Sequence, residues 1–192
     1  IGTGTMGQEH MRVAALLGRA HIHGIYDSQT LSMDVAEANF HALQSQPLVR
    51  YDDLASACHY PAAGALMIWT PNYSHFEVLR MALQSNKPIF LEKPMATTLQ
   101  DAAAIVRANE AYESFIQIGL QYRFKPQYQE AFREALDQRA LGEIKTVSVS
   151  EYRPPFLDKV DQWNKFERLS GGTLVEKCCH YFDLINLMAK AR

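Results

Sequence analysis

The chain has 192 residues, of which 47% are hydrophobic and 21% are charged, and its formal net charge is −2. The hydrophobic content is sufficient for the core of one domain and part of a second. Scattered lysines and arginines give no reason to expect a nucleic-acid partner, and no apolar run approaches the roughly 20 residues that a membrane span requires.

Helical and strand patterns alternate from Gly7 to about residue 120. The continuous apolar run ALMIWT is typical of a strand that is buried on both faces. Two capping-box patterns, Ser74 with Glu77 and Thr97 with Gln100, indicate helix starts. We predict helices at 8–17, 31–44, 75–85 and 98–112, and strands at 21–26, 65–70, 88–91 and 115–120. This alternation specifies an α/β fold with a doubly wound parallel sheet.

The pattern changes after Gln121. A predicted amphipathic helix at 127–139 stops near Gly142, and KTVSVSE at 145–151 alternates polar and apolar residues. Such alternation indicates a strand with one face in water, as in antiparallel sheets. We therefore predict one domain at 1–121, followed at 122–192 by the start of an α+β domain with a mainly antiparallel sheet.

The first residues and the cysteines bear on the compartment in which the protein works. IGTGTMG does not resemble a secretory signal, which combines a basic segment with an apolar one. The three cysteines, Cys58, Cys178 and Cys179, are an odd number with two adjacent, which is a poor basis for disulfides. We therefore expect a reducing compartment and a cytoplasmic protein.

The glycines at the start of the chain form a recognisable turn. Gly2, Gly4 and Gly7 give the pattern G-x-G-x-x-G, which allows a tight turn, close approach to a pyrophosphate and close helix–strand packing. Phosphates then bind at the N-terminus of the helix, so Thr5 and Met6 are expected to take part. Because such a turn normally follows a buried strand, we expect most of that strand to precede the first residue, in a longer protein.

Asp27 stands 20 residues beyond Gly7, directly after the predicted strand 21–26. This is the spacing of the carboxylate that binds the adenosine ribose hydroxyls in dinucleotide sites. The carboxylate would repel a 2′-phosphate, and the next residues, Ser28 and Gln29, bring no positive charge. The sequence therefore predicts a dinucleotide-binding Rossmann domain at 1–121 and favours NAD over NADP.

Three further segments join the glycine turn: TPNYSH at 70–75, EKP at 92–94 and GGTLVEKCCHYFD at 171–183. Together they resemble the Gfo/Idh/MocA family of NAD(P)-dependent sugar and polyol dehydrogenases. The resemblance implies an oxidoreductase with a carbohydrate-like substrate, which forms a homo-oligomer through its C-terminal sheet. Members of the family are considerably longer, so the resemblance also implies a partial chain.

The loop after strand 65–70 is expected to line the cofactor, because ligands bind beyond the carboxyl ends of parallel strands. It carries Thr70, Pro71, Asn72 and His75. His75 could equally be a surface residue of the first helical turn. Glu92 and Lys93, which follow the next strand, are assigned to the same surface.

The resemblance implies that Lys93 reaches the substrate beside the nicotinamide, and that a carboxylate and a histidine four residues apart complete the site. Here these are Glu176, where the family most often has aspartate, and His180. In the expected oxidation of a secondary alcohol, His180 takes the alcohol proton, Glu176 orients the imidazole and Lys93 stabilises the alkoxide. Lys93 and His180 could exchange these roles.

A helix at 173–189 would place Glu176, His180 and Asp183 on one polar stripe. Glu176 could instead complete a T-x-x-E capping box with Thr173. The opposite, apolar face is expected to lie in the core with Cys178, Phe182 and Ile185. The segment has no second cluster of cysteine or histidine with which to complete a zinc site, so no metal is expected.

Besides Lys93, four residues are expected to contact substrate: Gln121, Arg123, Trp163 and Asp183. Asp183 could equally be a structural hydrogen-bond partner, and Trp163 an anchoring core aromatic. Two other functions stay open, a non-catalytic NAD-binding regulator of the same fold and an enzyme that recycles tightly bound NAD. The presence of both Lys93 and His180 argues against a regulator, which has no need of both.

Overall fold

The computed structural model describes residues 1–152 and 158–189. Its strands are β1 (Gly24–Ile25), β2 (Val49–Arg50), β3 (Leu66–Ile68), β4 (Ile89–Leu91) and β5 (Ile116–Ile118). Its α-helices are α1 (Thr5–Leu17), α2 (Thr30–His41), α3 (Leu54–His59), α4 (His75–Ala82), α5 (Leu99–Glu110), α6 (Pro126–Phe132), α7 (Glu167–Ser170), α8 (Gly172–Glu176) and α9 (Cys179–Ala189).

All strand pairs in the described residues are parallel. β1 pairs with β2, and β4 lies between β3 and β5. The first two residues connect these sheets, because Gly2 N donates to Tyr26 O at 2.8 Å and Trp69 N donates to Ile1 O at 2.8 Å. Helices α1, α2, α4 and α5 alternate with the strands. The predicted Rossmann-type α/β fold is confirmed.

Two apolar clusters fill the space between the strands and helices. The larger contains the fully buried side chains of Ile68, Leu79 and Leu91, from β3, α4 and β4. The smaller packs Met11 and Phe40, from α1 and α2, against the other part of the sheet. The prediction that the run ALMIWT is buried on both faces was wrong, because Leu66 and Ile68 of β3 are buried whereas Met67 is 37% exposed.

The helix starts differ in detail from the capping-box predictions. Ser74 makes no capping bond to α4, because its hydroxyl donates instead to Pro71 O at 2.8 Å. α5 is capped by Thr98, one residue later than predicted, and Thr98 Oγ1 accepts from Asp101 N at 3.1 Å. Both predicted helices form, but neither predicted capping box does.

The predicted strand at 145–151 is not assigned in the structure. A strand requires a neighbour, and no hydrogen bond joins the backbone of this segment to any backbone in the described residues. The helix predicted at 127–139 is present as α6, continued by a π-helical turn at Arg133–Asp137. The described ranges contain no helix that is both long and apolar enough to cross a membrane.

The helix predicted at 173–189 is interrupted between α8 and α9. Lys177 N and Cys178 N both donate to Thr173 O, at 3.0 Å and 3.1 Å, so the turn widens and the regular helix stops. The prediction of a buried apolar face was wrong, because the Phe182 side chain is 52% exposed and Cys178 is only half-buried. The polar residues of the predicted stripe are the buried ones.

Candidate active site

A cleft of about 720 Å³ opens beyond the carboxyl ends of β1, β3 and β4. In doubly wound folds this edge of the sheet is where ligands bind. Its wall brings together parts of the chain that are far apart in sequence: Gly2, Gly4, Thr5, Met6, Asp27, Thr70, Pro71, Asn72, Glu92, Lys93, Lys159, Trp163 and Glu176. Most of the predicted cofactor and catalytic residues therefore share one surface.

The three glycines of the turn differ in the space that a side chain would have. Gly2 has a φ of +87°, and a Cβ there would lie 2.7 Å from Thr70 N. A Cβ on Gly7 would lie 2.3 Å from Gly2 O, so both positions exclude a side chain. At Gly4, by contrast, a Cβ would meet nothing within 4 Å. Gly4 caps α1 without a side chain, which leaves the helix N–H groups open to an anion.

Asp27 lies beside this turn in the cleft. One carboxylate oxygen accepts from Thr3 N at 2.7 Å, and the other accepts from Gln29 N at 2.9 Å. Thr3 Oγ1 also donates to the first oxygen, at 3.2 Å, so about one of the roughly four acceptor positions of the carboxylate remains for a ribose hydroxyl. The position and chemistry fit the ribose of NAD.

Lys93 and Glu176 form an ion pair in the wall of the cleft. Lys93 Nζ lies 3.8 Å from Glu176 Oε1 and donates to Glu176 O at 3.0 Å. Asn72 Nδ2 donates to Glu176 Oε2 and also to Ser170 O, at 3.2 Å. Glu176 does not cap a helix, because it is the last residue of α8, whose N-cap residue is Gly171 and which has no side-chain capping bond. Its buried carboxylate is held instead by an amide and an ammonium.

Glu92 is buried beside Lys93 and has a partner that the sequence reasoning missed. Its Oε1 lies 2.7 Å from Nε2 of His10, on α1, and its Oε2 accepts from Lys93 N at 3.0 Å. The His10 ring lies parallel to that of Trp69, with centroids 5.1 Å apart. A signal was present, because His10 lies one helical turn beyond Gly7, on the face of α1 that packs against the sheet.

His180 is 3% exposed and does not belong to the cleft wall. Its ring stacks on Tyr122, and Nδ1 has no hydrogen-bond partner within the described part of the chain. Burial, with Lys93 and Lys177 nearby, lowers the pKa of His180 to about 4. The hypothesis that Glu176 orients this imidazole was wrong, since Glu176 binds Asn72 and Lys93 instead.

Arg123 and Asp183 are committed to each other. Arg123 Nε donates to Asp183 Oδ2 at 2.6 Å, and a second guanidinium nitrogen donates to Oδ1. This bidentate pair raises the pKa of Arg123 above its usual value. These contacts therefore favour a structural role for Asp183 over contact with the substrate.

The remaining predicted residues separate into two groups. Trp163 lies in the cleft wall, its ring centroid 6.3 Å from that of Tyr73. Gln121 is exposed at the start of a 3₁₀ turn outside that wall. His75 is fully buried, with its ring nitrogens against Pro94 O and Thr70 O, so its expected contact with a cofactor was wrong.

A second polar cluster lies behind the Tyr122 ring. Lys177 Nζ lies 3.0 Å from Glu151 Oε2 and donates to the Tyr122 hydroxyl. The hydroxyl of Tyr181 donates to Glu151, and this hydrogen bond, with the nearby Lys177, lowers the pKa of Glu151 to about 2. Within the described residues no group of three or more histidine, cysteine or acidic side chains is arranged to hold a metal ion.

Two sequence models of one family match the chain. The model described as an oxidoreductase family with an NAD-binding Rossmann fold matches residues 1–120, and that of the C-terminal alpha/beta domain matches residues 133–190. The chain belongs to the Gfo/Idh/MocA family. The resemblance carried by the glycine turn, EKP and the 171–183 segment is thus confirmed.

Relatives within the Gfo/Idh/MocA family include polyol dehydrogenases. The chain is 33% identical over 146 residues to an inositol 2-dehydrogenase/D-chiro-inositol 3-dehydrogenase of Shouchella clausii (strain KSM-K16), covering 74% of this chain and 40% of that protein. It is 25% identical over 183 residues to the rhizopine catabolism protein MocA of Rhizobium meliloti, covering 95% and 54%. The chain thus spans about half the length of the curated relatives that it matches.

A solved structure shows the same fold. The myo-inositol dehydrogenase from Lactobacillus casei, in complex with NAD(H) and myo-inositol, matches with a TM-score of 0.75 at 23% identity. The match covers 98% of this chain and 52% of that one. The fold of this chain therefore corresponds to about half of that structure.

Proposed function

We propose that the protein is an NAD-dependent dehydrogenase that oxidises a secondary alcohol of a sugar, polyol or related compound. One observation carries this proposal: the Lys93–Glu176 pair opens into the same cleft as the glycine turn and Asp27. A cation would thereby share one surface with the features that would bind a dinucleotide. The relatives named as inositol dehydrogenases support the same class of substrate.

NAD would be held by three features of this chain. The open side of Gly4 and the N-terminus of α1 would take the pyrophosphate. Asp27 would accept hydrogen bonds from the adenosine ribose and would repel a 2′-phosphate. When bound, NAD supplies the acceptor for the hydride that leaves the carbinol carbon.

Lys93 is the residue that we place at the reacting oxygen. Its ammonium would donate to the oxygen as the alcohol proton leaves and would stabilise the developing negative charge. Glu176 and Asn72 would keep the Lys93 side chain in place, since Lys93 donates to Glu176 O and Asn72 holds the Glu176 carboxylate.

His180 is the residue that we propose as acceptor for the alcohol proton. With its pKa lowered to about 4, the imidazole is neutral at pH 7 and can accept a proton, although it is a weaker base than an ordinary histidine. Its Nδ1 has no partner within the described residues. Catalytic hydrogen bonds commonly shorten only when substrate is bound, so its position outside the cleft wall is compatible with this role.

The test is an assay of NAD reduction by the full-length protein with a panel of polyols and sugars. We expect Lys93→Met and His180→Ala each to lower kcat/KM by about 10²–10⁴-fold. Lys145→Met, at an exposed position paired with Glu143, is the matched control and should retain activity. Tight NAD binding without turnover of any panel member would contradict the proposal and favour a regulator or an enzyme that recycles bound NAD.

We also propose that the protein is cytoplasmic and forms a homo-oligomer. The free state of Cys58, Cys178 and Cys179 supports a reducing compartment. The oligomer is an expectation from the family alone. Light scattering of the full-length protein would test it, and a monomer would contradict it.

A further inference from the structure

Thr3 lies between the first two glycines of the turn and is held by two other residues. It is 1% exposed, and both Thr3 N and Thr3 Oγ1 donate to Asp27 Oδ2, at 2.7 Å and 3.2 Å. Its carbonyl has a different partner, because Thr3 O accepts from Nε2 of Gln8, on α1, at 3.0 Å. The glycine turn is therefore tied to a side chain that the proposed chemistry does not use.

The side-chain amide of Gln8 is fixed at both of its polar atoms. While Nε2 donates to Thr3 O, Oε1 accepts from Nδ2 of Asn39, on α2, at 2.8 Å. Because Asn39 presents a donor, the Gln8 amide turns its oxygen toward Asn39 and its nitrogen toward Thr3. Gln8 and Asn39 line a groove between α1 and α2 and do not belong to the wall of the cleft. The Thr3 carbonyl is thus held toward this groove and not toward the cleft.

The carbonyl of Thr3 and the N–H of Gly4 belong to one peptide unit. In a trans peptide these two groups point in opposite directions, so a contact that holds Thr3 O also sets the direction of Gly4 N–H. Gly4 lies in the wall of the cleft, and its N–H donates to no group within the described residues. This N–H is therefore a donor that the turn can present to an anion in the cleft.

Glycine makes the direction of this peptide unit easy to reverse. A flip would carry the φ of Gly4 from −67° to a positive value, which glycine adopts at little cost. A Cβ on Gly4 would meet nothing within 4 Å, so no neighbour packs against this position. After a flip, the negative end of the carbonyl dipole would face the cleft and would repel a pyrophosphate. The hydrogen bond from Gln8 opposes this change, because a flip would break it.

We propose that Gln8 is a positioning residue for the dinucleotide, because by holding Thr3 O it keeps the Gly4 N–H directed at the pyrophosphate. Asn39 supports this role by orienting the Gln8 amide. The inference rests on the NAD site of the proposed function and adds to it a residue that would not itself touch the cofactor.

The test measures binding to the full-length protein by displacement of NADH, followed by its fluorescence. ADP carries two phosphates and the ribose, whereas adenosine carries the ribose without phosphate. Gln8→Met keeps the length of the side chain and removes the amide. We expect this variant to bind NAD and ADP about 10-fold more weakly, because a hydrogen bond to a charged group is no longer well formed. Its affinity for adenosine should stay close to that of wild type.

Gln44→Met is the matched control for a general loss of stability. Gln44 Nε2 also donates to a backbone carbonyl, Ala15 O on α1, at 3.3 Å, but Gln44 lies outside the cleft wall. This control should keep the wild-type affinity for NAD, so the comparison with Gln8→Met is decisive even without adenosine. In steady-state kinetics Gln8→Met should raise KM for NAD with little change in kcat.

Asn39→Leu tests whether the effect passes through the Gln8 amide. We expect it to weaken ADP binding by about 2- to 3-fold, since its hydrogen bond to Gln8 is exposed to water. In the Gln8→Met background the same change should have no effect, because its partner is already absent. Equal effects of Asn39→Leu in both backgrounds would contradict the supporting role of Asn39.

Three results would overturn the inference and leave the dehydrogenase intact. These are unchanged ADP affinity in Gln8→Met, an equal loss of ADP and adenosine affinity in that variant, and an equal loss of NAD affinity in Gln44→Met. Conversely, ADP binding that depends on Gln8, in a protein that turns over no polyol or sugar, would support the inference and contradict the dehydrogenase. A wild-type protein that binds neither NAD nor ADP would contradict both.

Discussion

The ring of Tyr122 lies on the ring of His180, with centroids 4.1 Å apart and planes 9° apart. The Tyr122 hydroxyl in turn accepts from Lys177. Through this stack a buried cation lies close to the proposed base and favours its neutral form. Lys177, one residue beyond Glu176, thereby becomes part of the environment that sets the protonation of His180.

The first prediction concerns the pH profile of kcat/KM. Because burial, Lys93 and Lys177 hold the pKa of His180 at about 4, activity should stay level on acidification until pH approaches 4, well below the ordinary histidine range. In Lys177→Met one positive neighbour is lost, protonation becomes easier, and the acidic limb should move to higher pH.

The comparison uses Lys145→Met, whose exposed position should leave the profile unchanged. The prediction would be contradicted if wild-type activity falls with an apparent pKa of 6–7 and Lys177→Met does not shift that pKa. His180 would then not have the environment described.

The lowered pKa of His180 also affects folding stability, because the unfolded chain binds the His180 proton first as pH falls below about 6.5. His180 should therefore make the fold less stable between pH 6.5 and about 4.

The second prediction concerns the pair of His10 and Glu92, whose nearest side-chain atoms are 2.7 Å apart. His10→Ala would leave the buried Glu92 carboxylate without this partner, at a cost of about 1–3 kcal/mol in the free energy of unfolding. Because Glu92 also accepts from Lys93 N, kcat should fall as well. Denaturant unfolding and steady-state kinetics measure the two effects.

His10→Gln is the conservative variant, since its amide can still donate to the carboxylate. We expect it to recover part of both the stability and kcat. An Ala variant as stable as wild type would mean that the His10–Glu92 contact is replaced by water at no cost.

Local sequence patterns predicted the fold because each pattern reflects neighbours close in the chain. The run ALMIWT contains β3, and the G-x-G-x-x-G turn leads directly into α1. Helical periodicity predicted one continuous helix at 173–189, and this was wrong at the break after Glu176. There Thr173 O accepts from two successive N–H groups, a geometry that no residue pattern specifies.

Contacts between distant parts of the chain were the other source of error. Glu176 and His180 were paired because they lie four residues apart, yet the Glu176 carboxylate binds Asn72, 104 residues away in the sequence. The sequence indicated only that His10 faces the sheet, and its partnership with Glu92 spans 82 residues, so no local pattern specified that partner. Residue types indicated which side chains are functional candidates, whereas tertiary packing decided which of them meet.

The third prediction concerns the choice of cofactor. Asp27→Asn retains an oxygen that can accept from Thr3 N but removes the negative charge. NAD should then bind about 10-fold more weakly, because a hydrogen bond to a charged group becomes a neutral one, and the preference over NADP should shrink. Fluorescence titration of both cofactors measures this ratio.

Asp52→Asn, at an exposed position outside the cleft wall, is the control for a general effect of charge. If Asp27→Asn leaves the ratio of NAD to NADP affinity unchanged, Asp27 does not contact the ribose. Equal weakening of both cofactors would indicate damage to the glycine turn through Thr3.

The last prediction separates the two roles that the sequence left open for Asp183. The Asp183 side chain is 8% exposed and that of Arg123 is 42% exposed, so either single alanine variant should lose a charge-assisted, bidentate contact. We expect a double-mutant cycle of Arg123→Ala and Asp183→Ala to give a coupling of about 1–3 kcal/mol in unfolding free energy. A residue that bound substrate would behave differently, since its loss would raise KM and leave stability nearly unchanged. A coupling near zero would mean that the ion pair with Arg123 contributes nothing to the stability of the fold. If Asp183→Ala also raises KM, Asp183 would be assigned to substrate binding.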